Sequence, residues 1–293
     1  MHAAMTARRY LQLDVFAARP GSGNPLGVIL DSDGLDTAAM QAIAAWLNLS
    51  ETVFFLPPDE GASYRIRIFT PSSELPFAGH PSVGAAWAAV TSGLVRSGDG
   101  QLLQQCAAGL LPVQASGPQD APTILLASPP GRQRRTAPGV VPEQLQALLA
   151  PGYAPELWDN GPGWWLLPAR DADSVRALVP DMPAIADWSN ATGATGVAVF
   201  AAESSPDHAL VVRVFCPADS ASVPEDPVTG SANALIAAWL QQHGQLPNAD
   251  GSYVASQGRE VGRDGRVQLS IDTQGTVWIG GQVQPVIAGQ VHW

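Results

Sequence analysis

The 293-residue sequence has few cysteines, few charged residues and no long hydrophobic run. Its two cysteines, Cys106 and Cys216, cannot form a disulfide framework, and no C-x-x-C spacing indicates a metal site. We expect both to be reduced structural thiols. No stretch approaches the roughly 18 apolar residues of a membrane-spanning helix, and the start lacks the apolar segment of a secretory signal. The sequence therefore predicts a cytoplasmic protein without a membrane partner.

Several functional motifs are also missing. The sequence has no H-E-x-x-H motif, Walker loop, dinucleotide glycine fingerprint or G-x-S-x-G elbow. Its five histidines are dispersed, which disfavours a metal site. The net charge is −11, and the 15 basic residues form no cationic stripe that would neutralise phosphates. This excludes a nucleic-acid binder, and an anionic substrate would need local donors.

A hydrophobic content of 46% supports a sizeable core, and the length predicts two lobes. Helical patterns are few: Asp36–Leu47 is amphipathic, whereas Pro81–Ser92 and Val228–Gln242 are apolar nearly all round and should be buried. Short strand-like runs bounded by turn residues predominate. These runs are Tyr10–Phe16, Gly27–Leu30, Thr52–Leu56, Tyr64–Phe69, Thr123–Ala127, Trp164–Leu167, Gly196–Phe200, Leu210–Phe215, Arg266–Ile271 and Thr276–Ile279.

Two loop-like stretches are candidate boundaries between the lobes. Residues 112–122 are rich in Pro, Gly and small polar residues and predict a linker, with 129–138 as the competing boundary. The predicted lobes are residues 1–117, to which the C-terminal strand near 283–293 can be added, and residues 118–282.

The two halves of the chain share a weak repeat. Arg67–Pro71 followed by His80–Ala86 is similar to Arg213–Pro217 followed by Asp226–Ala232, with equal steps from each arginine to His80 and to Asp226. The pattern predicts a strand, a loop and a buried helix with proline in its first turn. The N–H groups and dipole at such a helix start suit a carboxylate. Two pseudo-symmetric units would point both helix N-termini at one cleft.

Polar side chains at these joints are the candidates for chemistry. His80 and Asp226 occupy corresponding positions in the predicted repeat, and Ser231 near the second helix start can donate to a bound anion. The alternative is structural: Asp226 is a favoured N-cap residue, His80 is a poor one, and Ser231 is an ordinary small helix residue.

Glu51 is a further candidate, at the start of the apolar strand Thr52–Leu56. Burial of a carboxyl without a cation favours its protonated form, and such a group can shuttle a proton. The alternative is a glutamate at a strand start that faces water.

Longer motifs occur in a fixed order along nearly the whole chain. They are Asn24–Val28, Asn48–Phe54, Phe69–Pro71, Glu74–Pro81, Glu225–Ala232, Ser256–Gly258, Gly262–Arg263 and Gly280–Gly281. Together they resemble the PhzF-like (phenazine biosynthesis-like) family. The resemblance implies an α+β, diaminopimelate epimerase-like fold with two pseudo-symmetric lobes, each a curled β-sheet or barrel around a central helix. It also implies an active site between the lobes, a homodimer, and no need for a cofactor or metal.

The resemblance further assigns roles to individual residues. It implies Glu51 as the catalytic acid/base, with His80 and Asp226 as its polar partners. The groups implied to bind the substrate carboxylate are Ser231 and the backbone N–H groups at Gly79 and Gly230, with Asn24 as an additional contact.

The absence of paired thiols favours one type of reaction. Epimerases and racemases of the wider superfamily use two facing cysteines, whereas Ala78 stands at the first joint here and no cysteine lies between Glu225 and Ala232. Cys216 corresponds to Thr70, so it has no thiol counterpart. A single carboxyl instead favours double-bond migration or tautomerisation of a small carboxylate. The alternatives are a thiol-independent epimerase or racemase of an amino or hydroxy acid, and a non-catalytic binder of small acids.

Overall fold

The computed structural model describes residues 6–96, 98, 100–217 and 225–293. They form two compact units: unit 1 runs to Ala127 and includes Gly280–Trp293, and unit 2 is Ser128–Ile279. The boundary predicted after residue 117 lies earlier than this division. Strand Thr123–Ala127 pairs with Gly109–Ser116, so the chain beyond the predicted linker still contributes to the sheet of unit 1.

Unit 1 consists of a sheet curled around one buried helix. Its elements up to Ala127 are β1 (Ala7–Val15), β2 (Asn24–Ile29), α1 (Thr37–Leu47), β3 (Glu51–Leu56), β4 (Tyr64–Phe69), β5 (Glu74–Leu75), α2 (Gly79–Thr91), β6 (Gln101–Cys106), β7 (Gly109–Ser116) and β8 (Thr123–Ala127). Helix α2 contacts β1, β2, β3, β4, β7 and β8, and its residues from Gly79 to Val90 are all buried. The helix has no polar face because no side of it meets water.

Unit 2 repeats this arrangement around a second helix. Its elements are β9 (Arg132–Arg134), α3 (Glu143–Gln146), β10 (Glu156–Asp159), β11 (Gly163–Pro168), α4 (Ala172–Ala177), α5 (Met182–Thr192), β12 (Gly196–Ala202), β13 (Leu210–Phe215), β14 (Glu225–Asp226), α6 (Gly230–Gln242), β15 (Tyr253–Gln257), a 3₁₀ turn (Arg259–Val261), β16 (Gly265–Ile271) and β17 (Val277–Gly281). Helix α6 is buried from Gly230 to Ala237. The last strand, β18 (Val283–His292), pairs with β1 of unit 1.

Strand pairing follows one order in both units. In unit 1, β1–β2, β3–β4, β4–β5 and β6–β7 are antiparallel, whereas β2–β3 and β4–β6 are parallel. In unit 2, β10–β11, β12–β13, β13–β14 and β15–β16 are antiparallel, whereas β11–β12 and β13–β15 are parallel. The weak sequence repeat is therefore a repeat of topology, and the predicted α+β fold with a sheet around a central helix in each half is confirmed.

An arginine–glutamate pair sets the register of each strand-to-helix joint. Arg67 of β4 donates two hydrogen bonds of 2.7 and 2.5 Å to Glu74 of β5. Arg213 of β13 donates two of 2.8 and 2.7 Å to Glu225 of β14. Each glutamate also pairs with the last residue of its neighbouring long strand. The two glutamates therefore occupy equivalent positions.

This register corrects the predicted correspondence of His80 with Asp226. Counted from the two glutamates, His80 is equivalent to Ser231, and Asp226 is equivalent to Leu75. The connection from the arginine to the glutamate has 11 intervening residues in unit 2 and only six in unit 1. Residues at equal distance from the two arginines are therefore not equivalent once this connection has been passed. The predicted helical proline is also correct only in unit 1, because α6 begins after Pro227.

The three predicted helices are present, but sequence patterns miss others. Helix α5 begins with a proline in its first turn and contains Ser, Asn and Thr, which form helices poorly. It forms because the Asp181 side chain caps it and because Ile185 and Trp188 are buried against the sheet. In the described part of the chain, no helix is long and apolar enough to cross a membrane.

We expect Gly84→Ala to destabilise unit 1. The added Cβ would lie 2.4 Å from Leu26 Cδ2 and 2.9 Å from Val15 Cγ2. Overpacking of a dense core costs about 1–3 kcal/mol, so the midpoint of urea denaturation should fall. Gly289→Ala is the control, because its added Cβ meets no atom within 4 Å. Equal stability of the two variants would contradict a close helix–sheet contact at Gly84.

Loss of the glutamate side-chain charge should lower the free energy of unfolding more in unit 2 than in unit 1. The side chains of Arg213 and Glu225 are 4% and 9% exposed, against 22% and 31% for Arg67 and Glu74. Breaking a buried ion pair costs about 3–5 kcal/mol, and an exposed pair contributes up to about 1 kcal/mol. Urea denaturation of Glu225→Gln and Glu74→Gln measures both terms. A larger loss for Glu74→Gln would show that burial does not govern these pairs.

Candidate active site

The structure brings Glu51 and His80 together in unit 1. Glu51 is the first residue of β3, and His80 lies in the first turn of α2. His80 Nε2 is 3.4 Å from Glu51 Oε2, and the two side chains are 6% and 17% exposed. Glu51 is therefore not a strand-start glutamate in bulk water. His80 is not a cap either, since Ala78 is the N-cap of α2.

His80 is held as a neutral imidazole. Burial lowers its pKa from 6.5 to about 3, against the opposing effect of a hydrogen bond to the Pro25 carbonyl. A ring N–H of His80 must donate that bond, and because Nε2 faces Glu51, the donor is Nδ1. Nε2 of the neutral ring then carries a lone pair.

This tautomer gives the Glu51–His80 pair a defined chemistry. A lone pair on Nε2 can accept the proton of a Glu51 carboxylic acid, but it cannot donate to a carboxylate. The pair therefore suits a proton that Glu51 holds and releases, with His80 fixing its direction. Asn24, the first residue of β2, is fully buried and precedes the proline that anchors His80.

The two buried helices begin without a capping side chain. Asp36, Asp171 and Asp181 cap α1, α4 and α5 by accepting backbone N–H bonds. In contrast, the N-caps of α2 and α6 are Ala78 and Thr229, and neither makes a side-chain cap bond. Their dipole ends are not neutralised by a carboxylate at the cap, which favours an anion at Gly79 and Gly230.

In unit 2 the joint carries Asp226 on β14 and Ser231 in the first turn of α6. Asp226 is not the N-cap, which corrects the structural alternative for this residue. Its Oδ2 accepts a 2.5 Å hydrogen bond from the Thr229 hydroxyl. Ser231 Oγ accepts a bond of 3.1 Å from Trp164 Nε1, so the serine proton can be donated elsewhere. Asn160 Nδ2 donates to the Ser231 carbonyl at 3.1 Å and fixes the backbone there.

Sequence reasoning misses the supporting residues of this joint. Trp164 is buried and acts on Ser231 through its N–H, and no pattern in the sequence distinguishes it from the neighbouring core residue Trp165. Thr229 and Gln257 lie within segments that resemble the family, but nothing in the sequence indicates their supporting role. Within the described residues, no group of three or more His, Cys, Asp and Glu side chains is arranged to hold a metal ion.

Acidification should destabilise unit 1 through His80. Because its folded pKa of about 3 is below the unfolded value of 6.5, the unfolded chain binds the extra proton at intermediate pH. The destabilising effect of His80 is absent above about pH 7. The free energy of unfolding falls as the pH decreases from 6.5 toward 3, by about 2 kcal/mol at pH 5. Urea denaturation at pH 7 and pH 5 should show a smaller difference for His80→Gln than for the wild type. Equal differences would rule out a buried neutral His80.

Comparisons with known proteins give a consistent assignment. Residues 13–289 match the PhzC-PhzF family, described as phenazine biosynthesis-like protein. Trans-2,3-dihydro-3-hydroxyanthranilate isomerase of Pseudomonas aeruginosa is 34% identical over 272 residues, which cover 91% of each chain.

Solved structures show the same fold. The crystal structure of a PhzF-family protein of Bacillus anthracis superposes with a TM-score of 0.84 at 25% identity, covering 99% of this chain and 100% of that one. A hydroxyproline epimerase from Agrobacterium vitis superposes with a TM-score of 0.68 at 15% identity, covering 98% and 92% of the two chains. The second likeness concerns the fold alone.

Proposed function

The chain belongs to the phenazine biosynthesis-like (PhzC-PhzF) family of isomerases, and from that premise we propose that it moves a proton between two carbons of a small conjugated carboxylate. The result is double-bond migration or tautomerisation, without a cofactor. The observation that carries this proposal is the contact between half-buried Glu51 and buried His80, with a separation of 3.4 Å between Oε2 and Nε2.

In this proposal, Glu51 is the acid/base. It removes a proton made acidic by conjugation and returns it to another carbon of the same substrate. His80 stays neutral and keeps the carboxyl oriented, because its Nδ1–H is engaged by the Pro25 carbonyl. A single group that both accepts and donates the proton matches a proton shift between two carbons better than stereoinversion, which needs groups on opposite faces.

The substrate carboxylate is assigned to the helix N-termini. The backbone N–H groups at Gly79 and Gly230 supply dipole ends without a capping carboxylate, and the Ser231 hydroxyl has a proton to donate. Asn24 is proposed as a further contact. We also propose, from the repeat, that the two joints act on the same substrate molecule, with Asp226 as a polar partner. Such preorganised donors supply the electrostatic part of the catalysis.

Epimerisation of an amino or hydroxy acid without thiols is the second candidate. The equivalent residues before the helix glycines are Ala78 and Thr229, so neither joint offers a thiol. Cys106 lies in β6, and burial raises the pKa of its thiol. We therefore place proton shift ahead of inversion, and chirality of the product separates the two. A homodimer in the cytoplasm and a free small-molecule substrate complete the proposal.

Glu51→Gln should abolish proton transfer. The assay follows solvent deuterium entering a panel of conjugated carboxylates, beginning with trans-2,3-dihydro-3-hydroxyanthranilate, by NMR. Removing a general acid/base typically lowers the rate about 100-fold to 10,000-fold. Glu60→Gln, at an exposed position just after the same strand, is the matched control and should exchange like the wild type. Undiminished exchange in Glu51→Gln would exclude Glu51 as the base.

A further inference from the structure

The buried side chain of Gln257 ties together the joint that carries Asp226. It lies at the end of β15 and is 2% exposed. Its Oε1 accepts hydrogen bonds from the Thr229 backbone N–H at 3.1 Å and from Asn233 Nδ2 at 2.9 Å. Its Nε2 donates to the Asp226 carbonyl at 2.9 Å and to Thr229 Oγ1 at 3.1 Å. One amide from a neighbouring strand therefore holds both ends of the turn between β14 and α6.

The groups around Gln257 determine which way its amide faces. The backbone N–H of Thr229 can only donate. Asn233 Nδ2 also donates to the Thr229 carbonyl at 2.9 Å, which fixes the orientation of the Asn233 amide. Both donors require the oxygen of Gln257, so its nitrogen must face the Thr229 hydroxyl.

The Thr229 hydroxyl passes this polarity on to Asp226. Because Oγ1 accepts from Gln257, its single proton is donated to Asp226 Oδ2 at 2.5 Å. Oδ2 is thereby held as a hydrogen-bond acceptor, and a charge-assisted bond of this kind favours the ionised carboxylate. The chain of bonds begins at the backbone of the helix start and ends on the acid.

Unit 1 contains a similar glutamine but not this chain of bonds. Gln104 of β6 is fully buried and donates to a serine hydroxyl in the first turn of α2 at 2.9 Å. The positions equivalent to Thr229 and Asp226 are Ala78 and Leu75, which have neither a hydroxyl nor a carboxyl. The hydroxyl thus occurs in the copy of the repeat that has the acid, which favours a role toward the acid over a role in packing.

We propose that Thr229 and Gln257 are positioning residues that hold the Asp226 carboxylate in one orientation, with Oδ2 as an acceptor. The proposal rests on the proposed function, in which Asp226 is a polar partner in the substrate site. The Thr229 hydroxyl donates its proton to the carboxylate, and Gln257 determines that the proton points there. Neither residue contacts the reacting atoms in this assignment.

The test compares Thr229→Val, which keeps the shape and removes the hydroxyl, with Thr229→Ser, which restores it. Crystal structures of both variants report the orientation of Asp226, and the deuterium exchange assay gives kcat, KM and their pH profiles. We expect Thr229→Val to rotate the carboxylate and to move the acidic limb of the kcat/KM profile to higher pH, since a donor to the charged form is lost. Thr229→Ser should retain both wild-type properties.

A Gln257→Glu variant tests the direction of the hydrogen bonds. Its carboxylate cannot donate to Thr229, so the hydroxyl should turn away from Asp226 and the profile should shift as in Thr229→Val. Slow amide hydrogen exchange at Thr229 in Thr229→Val shows that the helix start is intact. The proposal would be overturned if Asp226 kept its wild-type orientation in Thr229→Val. It would also be overturned if Thr229→Ser showed the same changes as Thr229→Val. If the wild type incorporates no solvent deuterium into any carboxylate of the panel, the proposed function fails. The crystal structures still decide the orientation of Asp226 in that case.

Discussion

The strand-to-helix joint depends on one interaction, the bidentate bond between an arginine of the long strand and a glutamate of the short one. In unit 2, Arg213 also donates to the Leu178 carbonyl, and its guanidinium lies over the Phe215 ring at 5.2 Å. The buried charge is thus satisfied in several directions, as a buried ion pair requires. The same guanidinium–ring contact occurs at 5.0 Å between Arg67 and Phe69. Because the arginine fixes the position of the glutamate, it also fixes where the following turn and the helix begin.

This interaction also explains which parts of the fold can be predicted from sequence. Short apolar strands such as Gly196–Phe200 and buried helices are recognised because burial on all sides leaves an apolar run. Strand β6, with three glutamines in Gln101–Cys106, is missed since its pattern is polar. The register of the repeat is mistaken for a physical reason: the loop before the glutamate differs in length, and spacing alone carries no information about pairing. The arginine–glutamate contact does carry information about pairing, but that contact is seen only in the folded structure.

The candidate site divides in the same way. Glu51, His80 and Asp226 are recognisable because they are titratable side chains within segments that match family motifs. Gln257, Thr229 and the other supporting groups are uncharged, and they act through buried hydrogen bonds between segments far apart in the chain. Periodicity and spacing record which residues are buried, not which buried polar atoms meet. Satisfaction of those atoms is a property of the folded state.

The two copies of the joint differ in their polar side chains. In unit 1, burial lowers the pKa of His80 and keeps the imidazole beside Glu51 neutral. In unit 2, a directed chain of hydrogen bonds ends on Asp226 Oδ2, which accepts the proton of the Thr229 hydroxyl. A duplicated backbone therefore carries different side chains at equivalent positions, Leu75 in one copy and Asp226 in the other, without any difference in topology.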